Sequence, residues 1–266
     1  YLKKCDEAYY NGDFLEISDK EYDKLKTQAR KEFPTNKYFL SVGIKPVAGS
    51  IVNLPYILGS LNKTKADGTL LKWAKDNKVD RVVLSDKLDG VSIFAEYQDG
   101  QLVMASTRGN GYEGRDITDK VRAIEPKIEA SGKVELRGEA VMTAEACNNL
   151  GYSLPRSAVS GILNGDDQEH LDKCEHVYIV WYNVLGYRLS TYEEHYTVLH
   201  TYGVDFPDFQ VIDVTDNLED SVAEWYKHRK AKSLYDIDGI VVARQDDASV
   251  GDDYYPSNMC AFKVNE

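Results

Sequence analysis

The sequence predicts an α+β fold, with mainly antiparallel sheets flanked by helices and a small helical piece at the N-terminus. Three observations lead there. Two alternating apolar segments, 91–98 and 101–107, are joined by Asp99-Gly100, a strong two-residue hairpin signal that makes the pair antiparallel. Further strand-like runs at 133–142, 176–185, 236–242 and 261–264 are spaced by segments of helical periodicity. The first 33 residues carry helix signals and no strand. With 266 residues, 42 % of them hydrophobic, the chain can bury the core of one large domain with a small companion. The expected division is 1–40, helical, and 41–266.

In the N-terminal part, Ser18-Asp19-Lys20-Glu21 is a capping box, Tyr22, Leu25 and Ala29 follow at helical spacing, and Phe33-Pro34 ends the run. Asn11-Gly12-Asp13 separates this helix from one before it. Residues 34–66 read as irregular, and Leu58–Lys63 within them as a loop that touches a ligand. A helix is expected over 68–77 and a buried strand over Arg81-Val82-Val83-Leu84, delivering Lys87 to a turn closed by Gly90. After the hairpin comes Gly109-Asn110-Gly111-Tyr112-Glu113-Gly114. This spells a dinucleotide fingerprint, but it follows a hairpin rather than opening a βαβ unit, so that fold is rejected. The loop is read instead as letting backbone approach a ligand near Arg108. Helices are expected from Thr143 to about Gly151, from Pro155 to Leu163, over 190–202 and over 218–230. The 176–185 strand, apolar on both faces, should be covered on both.

Composition narrows the function classes. No apolar run is long enough to span a membrane, and no signal peptide is visible. The start at Tyr1 rather than Met predicts a trimmed piece of a longer protein. Cys5, Cys147, Cys174 and Cys260 are scattered without a C-x-x-C pair, which points to reduced thiols in the cytoplasm and away from a zinc module. Lys and Arg total 32 against 44 Asp and Glu, a net charge of −12, the reverse of the usual nucleic-acid binder. Any tight hold on DNA must therefore come from a local basic face or from parts outside this chain.

Six polar residues sit at the ends of apolar strands, beside a glycine or inside a core-like run: Lys87, Asp89, Arg108, Glu139, Asp238 and Lys263. A lone K-x-D-G is usually a surface lysine beside a turn. Six such residues together suit nucleotidyl transfer. An amine attacks only when unprotonated, which takes burial or cationic neighbours. Arg108 and Lys263 would hold phosphate charge, while Glu139 and Asp238 would serve ribose or a divalent metal.

KLDG, TRGNGYEGRD, LRGE, YDIDGIVV and AFK occur in that order, and the chain resembles the NAD-dependent DNA ligases over nearly its whole length. The loop behind K-L-D-G is specific to that family. The resemblance implies the ligase-adenylation nucleotidyltransferase fold (ATP-grasp-like), with an N-terminal helical domain that binds the nicotinamide mononucleotide (NMN) half of NAD. There Tyr9, Tyr10, Asp19, Tyr22 and Asp23 stand at the family's contact positions. It implies that Lys87 becomes lysyl-AMP, with Ser60, Leu61 and Ser85 lining the adenine pocket and Tyr182 stacking on the base. It further assigns Asp89 and Glu139 to ribose and metal, Arg108 and Arg156 to phosphate, Asp238 to the fourth motif and Lys263 to the last. The implied reactants are NAD as AMP donor, Mg2+ and nicked duplex DNA. The oligonucleotide-binding, zinc, helix-hairpin-helix and BRCT domains of such ligases would lie outside this chain.

The chain departs from the family pattern at four places. Ser85 replaces a glutamate two before the lysine, Tyr10 a histidine, Asn164 an arginine and Ala243 the lysine closing the fourth motif. Arg244 could stand in for that lysine only if the strand slipped register. Two other readings stay open. One is an ATP- or GTP-using relative such as an RNA ligase or capping enzyme, and the other a nucleotide-binding module whose catalysis has decayed.

Overall fold

The computed structural model describes residues 50–264 and eight scattered positions before them. Tyr9, Tyr10, Asp19, Tyr22 and Asp23, with Ser18 of the capping box and most of the expected helical domain, lie outside the described residues. Within 50–264 the chain forms three sheets. A five-stranded sheet has the order β2 (Lys63–Thr64), β11 (Met259–Phe262), β10 (Ile237–Arg244), β3 (Arg81–Leu88), β9 (Phe209–Asp213). A four-stranded sheet has the order β5 (Gln101–Thr107), β4 (Val91–Gln98), β7 (Lys133–Val141), β8 (Tyr178–Leu185). A small ribbon pairs β1 (Ile51–Asn53) with β6 (Glu113–Arg115). All pairings are antiparallel except β11 with β2.

The hairpin is as the sequence dictates. Asp99 and Gly100 both take positive φ, 49° and 76°, the twist that a two-residue turn between right-twisted strands requires. The strand through Arg81–Leu84 runs further than expected. It continues to Leu88, so Lys87 is a strand residue and not part of the turn. The reason is pairing: β10 matches β3 residue for residue from Gly239↔Lys87 to Arg244↔Val82, and nothing in Ser85-Asp86 breaks the ladder.

Alternation on β3 sorts its side chains. Val82, Leu84 and Leu88 enter a core with α1 (Thr69–Asp76) and α7 (Leu218–Lys232), joined by Leu70, Ala74, Leu218, Val222, Ile240 and Phe262. Val83 enters the larger core, which the four-stranded sheet shares through Ile93, Ala95, Leu136 and Trp181. Helices α3 (Ala144–Asn149), α4 (Pro155–Asn164) and α6 (Glu194–Thr201) supply Cys147, Ala158, Val159, Ile162, Tyr196 and Leu199 to it. Thr143 caps α3 by accepting from the Ala146 N–H, and Pro155 opens α4.

Several elements escaped the sequence reading. Helix α2 (Thr118–Ile124) follows the glycine loop, and Asp116 tethers its start by accepting from the Thr118 N–H and hydroxyl. Helix α5 (Gln168–Asp172) runs into a 3-10 turn at Lys173–His176. Strands β1, β2 and β9 were not expected either; each is at most five residues long and too short to show a period. The 190–202 helix shortens to Glu194–Thr201, with the Ser190 N–H held by the Glu194 carboxylate. Cys5, Cys147, Cys174 and Cys260 are free and buried thiols. No helix among the described residues is long and apolar enough to cross a membrane.

Candidate active site

Lys87 shares its face of β3 with Val83 and Ser85, and its ammonium group is 2.8 Å from the Asp238 carboxylate. The other oxygen of Asp238 accepts from Lys263, which follows the end of β11. Asp238 reaches both lysines because it occupies an irregularity: the register of β10 against β3 shifts between Ile237 and Gly239. A bulged residue is re-aimed in this way while the strand on either side stays paired. Burial pushes the Asp238 carboxyl up, but the two ammonium groups outweigh it and hold it below its usual range. Burial and the Lys87 charge pull the Lys263 ammonium below its ordinary value, against the attraction of Asp238.

Around this triad the chain places two further groups. Asp89, one residue past β3, bonds Arg156 at the start of α4 at 2.8 Å and fixes its own N–H on the Asp236 carbonyl. Glu139 and Ser92 are cross-strand partners on the face of the four-stranded sheet turned away from Ile93 and Leu136. Both meet the Tyr182 hydroxyl, Ser92 at 2.9 Å and Glu139 at 3.2 Å. Burial pushes Glu139 up, opposed by Arg156, Lys87, Arg137 and the tyrosine hydroxyl. Tyr182 is half-buried, and desolvation, opposed by Arg137 and reinforced by Glu139, pushes its hydroxyl up to about 12. Arg108 leaves β5 with its N–H on the Ser92 carbonyl at 2.8 Å.

Two openings lie near these groups, and the first is lined by some of them. An open polar cavity of about 370 Å3 is lined by Asp89, Asp236, Asp238, Lys263 and, from α7, Tyr226 and Lys230. A narrow crevice of about 20 Å3 is lined by Gly59, Ser60, Leu61, Arg137, Asn183 and Met259. The fold thus brings Lys87, Asp89, Glu139, Arg156, Tyr182, Asp238 and Lys263 together, while Ser60 and Leu61 sit at the neighbouring crevice. Ser85 is buried on the Lys87 face.

Two cations escaped the list of strand-end residues. Arg137 donates to the Gly59 carbonyl at 2.7 Å, lies 5.8 Å from the centre of the Tyr182 ring and keeps a buried Nε without a hydrogen-bond partner. It therefore joins the crevice to the Tyr182–Glu139 pair. Its signal was available, since it stands two residues before Glu139 and so on the same strand face. Lys230 had none, because its place on the cavity rim depends on how α7 packs.

The departures from the family pattern also resolve. Ala243 is fully buried and regularly paired with Val83, and Arg244 turns to Asp246 and the Asn77 carbonyl. There is no register slip, so Arg244 does not replace the missing lysine. Asn164 holds the Ser160 hydroxyl at 3.3 Å. The glycine loop serves itself: a Cβ on Gly109 or Gly114 would stand 1.9 or 1.8 Å from the Glu113 or Thr107 carbonyl oxygen. Asn110 closes it by accepting from the Tyr112 and Glu113 N–H groups. No three His, Cys, Asp or Glu side chains among the described residues cluster to hold a metal ion.

The sheets that carry this lysine and its carboxylate form the fold of the nucleotidyltransferase-type ligases. A solved structure named "Putative ATP-dependent DNA ligase from Aquifex aeolicus" shares the fold at a TM-score of 0.50, covering 91 % of this chain and 62 % of that one at 10 % identity. The model of the NAD-dependent DNA ligase adenylation domain matches residues 60–251, and the chain belongs to that family. It is 32 % identical to a DNA ligase of Acanthamoeba polyphaga mimivirus over 98 % of its own length and 42 % of that protein's. It is 30 % identical to a DNA ligase of Ruminiclostridium cellulolyticum over 98 % of its length and 43 % of that one. The chain thus spans less than half the length of these relatives.

Proposed function

We propose that the chain is the AMP-loading module of an NAD-dependent DNA ligase and that Lys87 is its nucleophile. The observation that carries this is the Lys87–Asp238–Lys263 cluster, of which Asp238 and Lys263 line an open polar cavity. The residues fit a dinucleotide: Lys263, Arg156 and Arg108 supply cationic donors for a pyrophosphate, and Tyr182 supplies an aromatic face beside Arg137. The nicotinamide half would fall to Tyr9, Tyr10, Asp19, Tyr22 and Asp23 of the N-terminal 1–40 domain.

In this reading the Lys87 ammonium first gives a proton to solvent, and Asp238, which stays ionised, keeps the free amine aimed at the adenylyl phosphorus of NAD. The nitrogen releases a second proton to solvent once it is bonded to phosphorus. A P–N bond forms, the P–O bond to the NMN phosphate breaks, and NMN leaves with that electron pair. Lys263 and Arg156 hold the charge that accumulates on the phosphoryl oxygens. Mg2+, when bound, would add Lewis-acid stabilisation at those oxygens; no carboxylates cluster for it among the described residues, so the phosphates would supply most of its ligands. The AMP then passes to the 5′-phosphate of a DNA nick, a step that belongs to the longer protein. The four free thiols favour a reducing compartment such as the cytoplasm.

Intact-mass measurement after incubation with NAD and Mg2+ tests this. One added AMP is expected on the protein and none on Lys87→Ala. Labelling from ATP or GTP but not NAD would move the chain to the other nucleotidyltransferases. Absence of any adduct would point to a binding module.

A further inference from the structure

Asp86 is buried immediately before the nucleophile, and the reaction has no use for it. Strand alternation turns it to the opposite face of β3, where it meets Arg229 in the last turn of α7. The guanidinium grips it as a fork: Nε lies 2.9 Å from one carboxylate oxygen and the outer nitrogen 2.9 Å from the other. Both side chains are nearly closed off from water, at 3 % and 10 % exposure. The same guanidinium bonds Asp208, the residue before β9. The next residue of the helix, Lys230, donates to the Ile237 carbonyl at 2.9 Å. Consecutive residues of α7 therefore hold the residue before Lys87 and the residue before Asp238.

A buried ion pair is a poor device for stability alone, because desolvating both charges consumes most of what their attraction returns. It is effective at fixing register, where a one-residue slip would leave a charge buried and unpaired. On β3 such a slip would also turn Lys87 away from Asp238. We infer that Asp86 and Arg229 are positioning residues, a clamp behind the sheet that sets where the Lys87 amine stands against Asp238. The inference rests on the reading of Lys87 as the nucleophile.

The test compares three proteins in single-turnover adduct formation at saturating NAD, with NAD affinity by calorimetry and unfolding by circular dichroism. Asp86→Leu/Arg229→Met removes both charges at similar volume. It should unfold within a few degrees of wild type and bind NAD within about twofold, yet form adduct at a rate lower by about 10- to 100-fold. Arg229→Lys keeps the charge and loses the fork, and should slow adduct formation by about tenfold at unchanged NAD affinity. A folded double variant that loads AMP at the wild-type rate would overturn the clamp. Should the double variant not fold, Arg229→Lys decides, and a wild-type rate in it overturns the clamp equally. Failure of the wild-type protein to form adduct would instead sink the reading of Lys87 itself, so the two failures are distinguishable.

Discussion

Arg137 illustrates how one side chain can serve a site from its margin. Its guanidinium closes the Gly59 loop onto β7, backs the Tyr182 ring and brings a positive charge toward Glu139. Replacing it by alanine opens the crevice without touching Lys87 or Asp238. We expect Arg137→Ala to raise the NAD concentration for half-maximal adduct formation by about tenfold, the value of roughly one charge-assisted hydrogen bond, and to change the saturating rate less. A saturation curve of adduct against NAD reads both. Asp238→Asn should do the opposite. It keeps the shape but removes the charge that both lysines face, so the saturating rate should fall by at least about tenfold with a small change in half-saturation.

Among the elements, α6 depends on a histidine the reaction does not use. His195 is buried, its Nδ1 accepts from the Val184 N–H at 3.1 Å, and its Nε2 stands 3.0 Å from the Ala248 carbonyl. The ring therefore fits only as the neutral tautomer protonated at Nε2, joining α6, β8 and the segment after β10. Burial, partly opposed by that carbonyl and by Glu194, pushes it down to about 4 from 6.5. A histidine that resists protonation in the folded state contributes stability fully above about pH 6.5 and loses it as pH falls toward 4. The contribution is on the order of 3 kcal/mol. Urea unfolding measured from pH 7.5 to 4.5 should show the midpoint dropping below about pH 6.5, and His195→Gln should be less stable at pH 7.5 and less pH-sensitive.

For the whole molecule, charge and length set the expectation. The net charge is −12, and the chain spans 42 % of its mimivirus relative. A protein of this balance gains little from counterion release on DNA. We expect the isolated chain to load AMP yet not to seal nicked duplex in a denaturing-gel assay. Sealing by this chain alone would overturn the division of labour proposed above.

What could be read from residues alone was whatever depends on nearest neighbours along the chain. The Asp99-Gly100 hairpin, the Thr143 and Pro155 helix starts and the strand-end motif residues are all of this kind, because turn, cap and pleat preferences are local. What only the folded chain decided was which strand end faces which. The bulge that lets Asp238 hold two lysines, the place of Arg137 behind Tyr182 and the Asp86–Arg229 fork all join residues far apart in sequence. Sheet order and helix packing place those partners, and neither leaves a periodic trace in the residues they bring together.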